Sequence, residues 1–215
     1  MRLALWLTIL AANLGAGELF DAVKDEYLRL YNEQNYGAAL EIALQAAEGA
    51  DAQAQLEAGY VYETIYGDYV RAVRYYKLSA SRGEPQAALN LGYLFLRMSD
   101  YSRALGYIGE ALERQEALGS EHAADGYYRR GMVRLDPRRG KLHDPKAAAA
   151  DFANAARLGG ADGTFMLGVC YGLGVGVSAD EQKSDELIEQ AAGLGSEDAR
   201  KVLSGFASIA DFVFK

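Results

Sequence analysis

The stretch YGLGVGVSADEQKS, residues 171–184, decides how the chain is read. Its part GVGVSA fits the loose dinucleotide fingerprint G-x-G-x-x-[GA], which cradles a phosphate only where a strand enters the loop and a helix leaves it. TFMLGVCY before it is apolar enough for a buried strand, and DEQKSDELIEQAA after it has the composition of a helix. The local sequence admits a phosphate loop, so the rest of the chain has to choose.

A recurring frame makes the choice. NYGAALEIALQAA from Asn35, DYVRAVRYYKLSA from Asp68, DYSRALGYIGEAL from Asp100, DPKAAAADFANAA from Asp144 and DEQKSDELIEQAA from Asp180 align without gaps. Their starts lie 33, 32, 44 and 36 residues apart, the range of helix-pair repeats. Asn or Asp at the head can accept hydrogen bonds from free backbone N–H groups and so start a helix, and Pro145 sits where a first-turn proline is tolerated. Small residues follow at Ala39, Ala72, Ala104, Ala148 and Ser184, and again two turns later at Ala46, Ser79, Ala111, Ala155 and Ala191. They place one small-residue face on each helix, where a neighbour can approach closely, while Tyr76, Ile108, Phe152 and Ile188 fill the space between. Gly83, Gly159 and Gly195 fall where a left-handed helix stop belongs.

The helix preceding each of these carries its own mark, a small residue four before an apolar–glycine pair. The marks are Ala54 with Ala58-Gly59, Ala87 with Leu91-Gly92, and Gly163 with Leu167-Gly168. Tyr62, Phe95 and Tyr171 come three after each glycine, on the same face one turn later. TFMLGVCY is thus the first helix of a pair, and GVGVSA is the turn to the second. Equivalent turns read TIYGD at 64–68 and RMSD at 97–100, and no GK[ST] supplies a lysine for phosphate.

YGLGVGVSADEQKS followed by AAGLGSEDA resembles the Sel-one-like repeat, a relative of the tetratricopeptide repeat. Leu167, Gly168, Tyr171, Gly174, Gly176, Val177, Asp180, Lys183, Ala191, Ala192 and Gly195 fill its pattern, with Ser184 in place of the usual Ala. Residues 52–83 and 86–119 have shorter turns, closer to ordinary tetratricopeptide units, and 121–160 is irregular. The resemblance implies an all-α, right-handed solenoid of about five helix-turn-helix repeats plus a C-terminal helix, whose concave face binds other proteins. It implies no catalytic centre. The expected organisation is a signal peptide at 1–16, an N-terminal tetratricopeptide-like repeat at 17–51, repeats over 52–198 and a capping helix at 199–215.

Composition supports a folded, exported chain. Half of the 215 residues are hydrophobic, and three prolines leave helices largely uninterrupted. A net charge of -8 argues against general nucleic-acid binding, which needs clustered cations. MRLALWLTILAANLGAG has Arg2, an apolar run from Leu3 to Leu14 and then small residues, the layout of a secretory signal cleaved near Ala16. Its apolar run is too short for a permanent membrane span. The expected location is therefore periplasmic or secreted. Cys170 is the sole cysteine, so no intrachain disulfide forms, and its apolar neighbours Met166, Leu167 and Val169 suit a buried thiol.

Partner-binding candidates come from tetratricopeptide geometry, in which residues just after the glycine face the groove. They are Tyr60, Glu63, Tyr93, Arg97 and Met132, with Tyr128 and Phe165 three before theirs. Tyr and Arg are frequent interface anchors, although tyrosines at helical spacing also build cores. A second candidate is the stretch RRGMVRLDPRRGKLHDPK, 129–146, with Arg138, Arg139 and Lys141 at its centre and a local net charge of +5. It reads as a basic loop for a polyanion such as an acidic glycan or acidic protein face, or equally as a solvated loop. Residues Glu18 to Glu63 are the reverse, with ten acids and two bases. His122 and His143 lie at no metal-ligand spacing, and no nucleophile–base arrangement appears, so neither catalytic, metal nor cofactor residues are assigned. The sequence therefore reads as an exported protein–protein interaction scaffold. Polyanion binding through 129–146 is the alternative, and a cell-envelope hydrolase on the same scaffold a more distant one.

Overall fold

The structure, a computed structural model, describes residues 18–213; the expected signal peptide and Phe214 lie outside the described residues. Among the described residues the chain is helical, with no strand, and it divides into two compact units at Met98 and Ser99. The first unit holds α1 (Glu18–Asn32), α2 (Tyr36–Glu48), α3 (Ala52–Thr64), α4 (Tyr69–Ser81) and α5 (Pro85–Arg97). The second holds α6 (Tyr101–Leu112), the single turn α7 (Gln115–Leu118), α8 (Ser120–Leu135), a 3₁₀ turn (Pro137–Leu142), α9 (Pro145–Arg157), α10 (Ala161–Leu173), α11 (Glu181–Leu194), the short α12 (Glu197–Leu203) and a 3₁₀ turn (Ile209–Phe212).

Four of the five heads act as expected: the carboxylates of Asp68, Asp100, Asp144 and Asp180 each accept the backbone N–H three residues on. Asn35 does not; its side chain makes no cap bond. The turn there is already closed by the Asn35 N–H donating to the Leu30 carbonyl, behind Gln34 at φ 61°.

Both sets of small residues are buried, from Ala39 and Ala46 through Ser184 and Ala191, as are the fillers Tyr76, Ile108, Phe152 and Ile188. Three of these fillers, Tyr76, Phe152 and Ile188, pack onto the glycine of the partner helix. A Cβ on Gly59 would stand 2.7 Å from the Tyr76 ring, on Gly131 2.6 Å from Phe152, and on Gly168 3.0 Å from Ile188. This interlock is the physical content of the repeat: a bare first-helix backbone receives a large second-helix side chain.

Gly176 answers the question raised by GVGVSA. Its φ is +74°, and a Cβ there would collide with the Pro145 carbonyl at the start of α9. The turn's donors serve the fold: the N–H groups of Gly174 and Val175 go to the Cys170 carbonyl, and that of Asp180 to Tyr171. These amides are spent holding α10 to α11.

Over its described residues, 199–213, the expected capping helix at 199–215 is not one helix. Helix α12 stops at Leu203, where Gly205 turns left-handed at φ +75° and the Phe206 N–H closes onto the Lys201 carbonyl. The chain then folds back over α10, setting Phe212 edge-on to Phe165 at 4.8 Å between ring centroids.

Candidate functional site

In the first unit, the nominated Glu63 and Arg97 meet across α3 and α5. Arg97 donates to Glu63 Oε1 at 2.8 Å and to the Tyr69 hydroxyl at 2.7 Å, with its guanidinium 5.0 Å from the Tyr69 ring centroid. The other Glu63 oxygen, Oε2, accepts the Tyr76 hydroxyl at 2.8 Å. Burial, followed by the neighbouring Glu63 charge, holds the Tyr76 hydroxyl protonated far above the ordinary phenol range. Glu63 is mostly covered, at 12% side-chain exposure, whereas Arg97 is open at 56%. The arrangement fixes an exposed cation on a mostly covered anion.

Tyr60 points outward from α3 at 40% exposure and lies 6.3 Å from Tyr31 of α1, centroid to centroid. Tyr31 also neighbours Tyr27 at 6.1 Å and Tyr36 at 5.2 Å. Beneath them Glu57 accepts the Tyr27 hydroxyl on Oε2 and the Gln53 amide on Oε1, both at 2.9 Å. Burial, then the Glu57 charge, raises the Tyr27 pKa far above the usual value; Tyr31 is raised too, by burial first and then by Tyr60. Tyr93 of α5 is half-buried. Tyr27, Tyr31, Glu57, Tyr69 and Tyr76 were not among the sequence candidates. Tyr27, Tyr60 and Tyr93 are each 33 residues apart, a register that could have nominated Tyr27.

The nominees in the second unit separate. Tyr128 lines an open cleft of about 370 Å³ with Glu121, Asp125, Asp162 and Leu194, and its pKa is raised by burial first and then by Asp162. Met132 is half-buried against the apolar core. Phe165 is no surface residue: it is 1% exposed because Phe212 of the returning tail covers it.

The stretch 129–146 is not a free basic loop either. Residues up to Leu135 belong to α8, and Pro137–Leu142 form the 3₁₀ turn. Arg130 and Arg134 both grip the buried Asp151 of α9, at 2.6 and 2.7 Å. Arg129 pairs with Asp125, and Arg138 and Arg139 both pair with Asp136, Arg139 also lying 3.6 Å from the Tyr101 ring centroid. Lys141 and Lys146 are the exposed cations of the stretch without an ion pair among the described residues. Local self-neutralisation removes most of the positive field that the sequence count suggested.

Cys170 is buried, and burial pushes its thiol up to about 11, where it is a poor nucleophile at neutral pH. His122 and His143 are exposed. Among the described residues no group of three or more His, Cys, Asp or Glu is placed to hold a metal ion, and no helix is long and apolar enough to cross a membrane.

No family model matches the chain, and no curated protein does. Solved structures match. A Sel1 repeat protein from Oxalobacter formigenes superposes with a TM-score of 0.65 at 26% identity, covering 83% of this chain and 70% of that one. The protective antigen c5321 of uropathogenic Escherichia coli, which displays the SLR fold, gives a TM-score of 0.64 at 22% identity, covering 79% of this chain and 37% of that one. A Klebsiella pneumoniae sel1 repeat protein gives 0.52 at 16% identity, covering 91% of each chain. These neighbours have the all-α repeat architecture that the sequence frame implied.

Proposed function

We propose that this Sel1-like repeat protein is an exported interaction scaffold that docks a partner protein segment along the first-helix face of its N-terminal unit. Its fold is that of helical-repeat proteins, in which neighbouring repeats present a continuous surface built for binding. One observation carries the assignment of the face. Arg97, Glu63, Tyr69 and Tyr76 form a single hydrogen-bonded network that holds the exposed Arg97 in a fixed position, and the exposed Tyr60 lies on the same helix as Glu63. Preorganised aromatic and Arg side chains lose little freedom on binding, so they suit an interface.

Export rests on the layout of residues 1–16, and the absence of a second cysteine leaves packing alone to stabilise the chain outside the cytoplasm. The experiment has two parts. Amino-terminal sequencing of the chain recovered outside the cytoplasm is expected to begin near Gly17; an uncleaved cytoplasmic chain overturns the export proposal. A photoreactive residue at Tyr93 is expected to capture one partner from that fraction, and Arg97→Glu to abolish the capture. Capture unaffected by Arg97→Glu overturns the assignment of the face.

A further inference from the structure

We propose that Glu57, with Tyr27, Tyr31 and Tyr60 around it, is a receptor for a cationic side chain, arginine by preference, on the docking segment of the partner. This rests on the reading above that the first-helix face of the N-terminal unit binds a protein segment.

The Glu57 carboxylate accepts one hydrogen bond on each oxygen, both from neutral donors: the Tyr27 hydroxyl and the Gln53 amide. Each carboxylate oxygen has two lone pairs, so acceptor capacity remains on both. Among the described residues no Lys or Arg forms an ion pair with Glu57. The contrast with its neighbours is specific: Glu63 is neutralised by Arg97, Asp68 by Arg71, and Glu26 and Glu33 by Arg29. A carboxylate half-buried among aromatic rings is costly to leave without a cation, and the surroundings supply none.

The surroundings also favour a cation sterically and electrostatically. Tyr31 links the Tyr27 and Tyr60 rings, at 6.1 and 6.3 Å and tilted 32° and 43°, so the aromatic wall is contiguous from the half-buried carboxylate to the exposed Tyr60. A guanidinium fits this wall better than an ammonium. Its planar fork can take free lone pairs on Glu57 while its face lies on a tyrosine ring, as Arg97 already does on Tyr69 in this unit. The field points the same way, since residues Glu18 to Glu63 hold ten acids and two bases, and one of those bases, Arg29, is already engaged.

The test is a titration of the full chain, with tyrosine ring carbons labelled for NMR, by the tripeptide acetyl-Leu-Arg-Leu-amide. The comparison is its neutral isostere with citrulline in place of arginine. The arginine peptide is expected to shift the Tyr31 and Tyr60 signals saturably, and the citrulline peptide to bind roughly tenfold more weakly, as loss of a charge-assisted contact requires. Glu57→Gln, which keeps the shape and can still meet Tyr27 and Gln53, is expected to erase the difference between the peptides. Equal affinity for the two peptides on the unaltered chain overturns the proposal, and so does the absence of any saturable shift; both readouts stand if the variant fails to fold. Partner capture at Tyr93 that survives Glu57→Gln unchanged sinks the cation receptor while leaving the docking face standing. Loss of capture on Arg97→Glu tests that face by itself.

Discussion

Replacing Gly131 by Ala puts the repeat's interlock to a quantitative test. The added Cβ would lie 2.6, 2.9 and 3.0 Å from three atoms of the Phe152 ring, all inside van der Waals contact, and Phe152 is fully buried with no open side to move into. Overpacking of this kind costs about 1–3 kcal/mol, and three simultaneous clashes against a fixed ring place it near the upper end, about 3 kcal/mol. Helix propensity works in the opposite direction, since Ala is about 1 kcal/mol better than Gly inside a helix. The net expectation is destabilisation by about 2 kcal/mol, roughly a 30-fold fall in the folded-to-unfolded ratio. Gly106 of α6 supplies the internal control: a Cβ there meets nothing within 4 Å, so Gly106→Ala is expected to stabilise by about 1 kcal/mol. Both sites lie in the second unit, so urea unfolding followed by far-ultraviolet circular dichroism reads the same transition for each. Phe152→Leu combined with Gly131→Ala should cost less than the sum of the two single changes, because the smaller side chain vacates the contact. A Gly131→Ala chain as stable as the parent would refute the interlock, as would additivity of the pair.

Three further outcomes follow from the same contacts. Asp151→Asn strands Arg130 and Arg134 and is expected to cost about 3 kcal/mol in urea unfolding, while Asp125→Asn, which breaks only the exposed pair with Arg129, changes stability by less than about 1 kcal/mol. Gly176→Ala meets both an unfavourable left-handed φ and the Pro145 carbonyl, so it should destabilise by more than about 2 kcal/mol and release the α10–α11 turn to limited proteolysis. Cys170 should react slowly with a thiolate-seeking disulfide reagent at pH 8 and promptly in urea. Burial raises the native thiol to about 11 from 9.0, so the native state holds its proton more tightly than the unfolded one. That contribution to stability is whole below pH 9 and is lost as pH rises toward 11; equal reaction rates in native and unfolded protein would show that the thiol is not buried.

Much of the architecture was legible because it is written in short-range terms. Helix heads at Asp68, Asp100, Asp144 and Asp180, left-handed stops at Gly83, Gly159 and Gly195, and small residues two turns apart all obey helix geometry within a dozen residues. What the sequence did not reveal depends on contacts between distant segments. Arg130 and Arg134 look like part of a basic loop until α9 brings Asp151 beneath them, and Phe165 looks like a groove residue until Phe212 returns over it. Glu63 and Arg97 were named singly; their union spans 34 residues and two helices. The full Sel-one-like turn occurs only at 171–184, while the turns at 64–68 and 97–100 are shorter and 121–160 is irregular.

The central claim is the location of the partner, and a positional crosslinking scan tests it most directly. Photoreactive residues are placed one at a time at Tyr60 and Tyr93, at Val70 on the exposed side of α4, and at Lys141 in the 3₁₀ turn. The account predicts the same partner captured from Tyr60 and Tyr93, with Val70 and Lys141 capturing nothing above background. Capture from Val70 or Lys141 alone, with Tyr60 and Tyr93 silent in a folded chain, would contradict it.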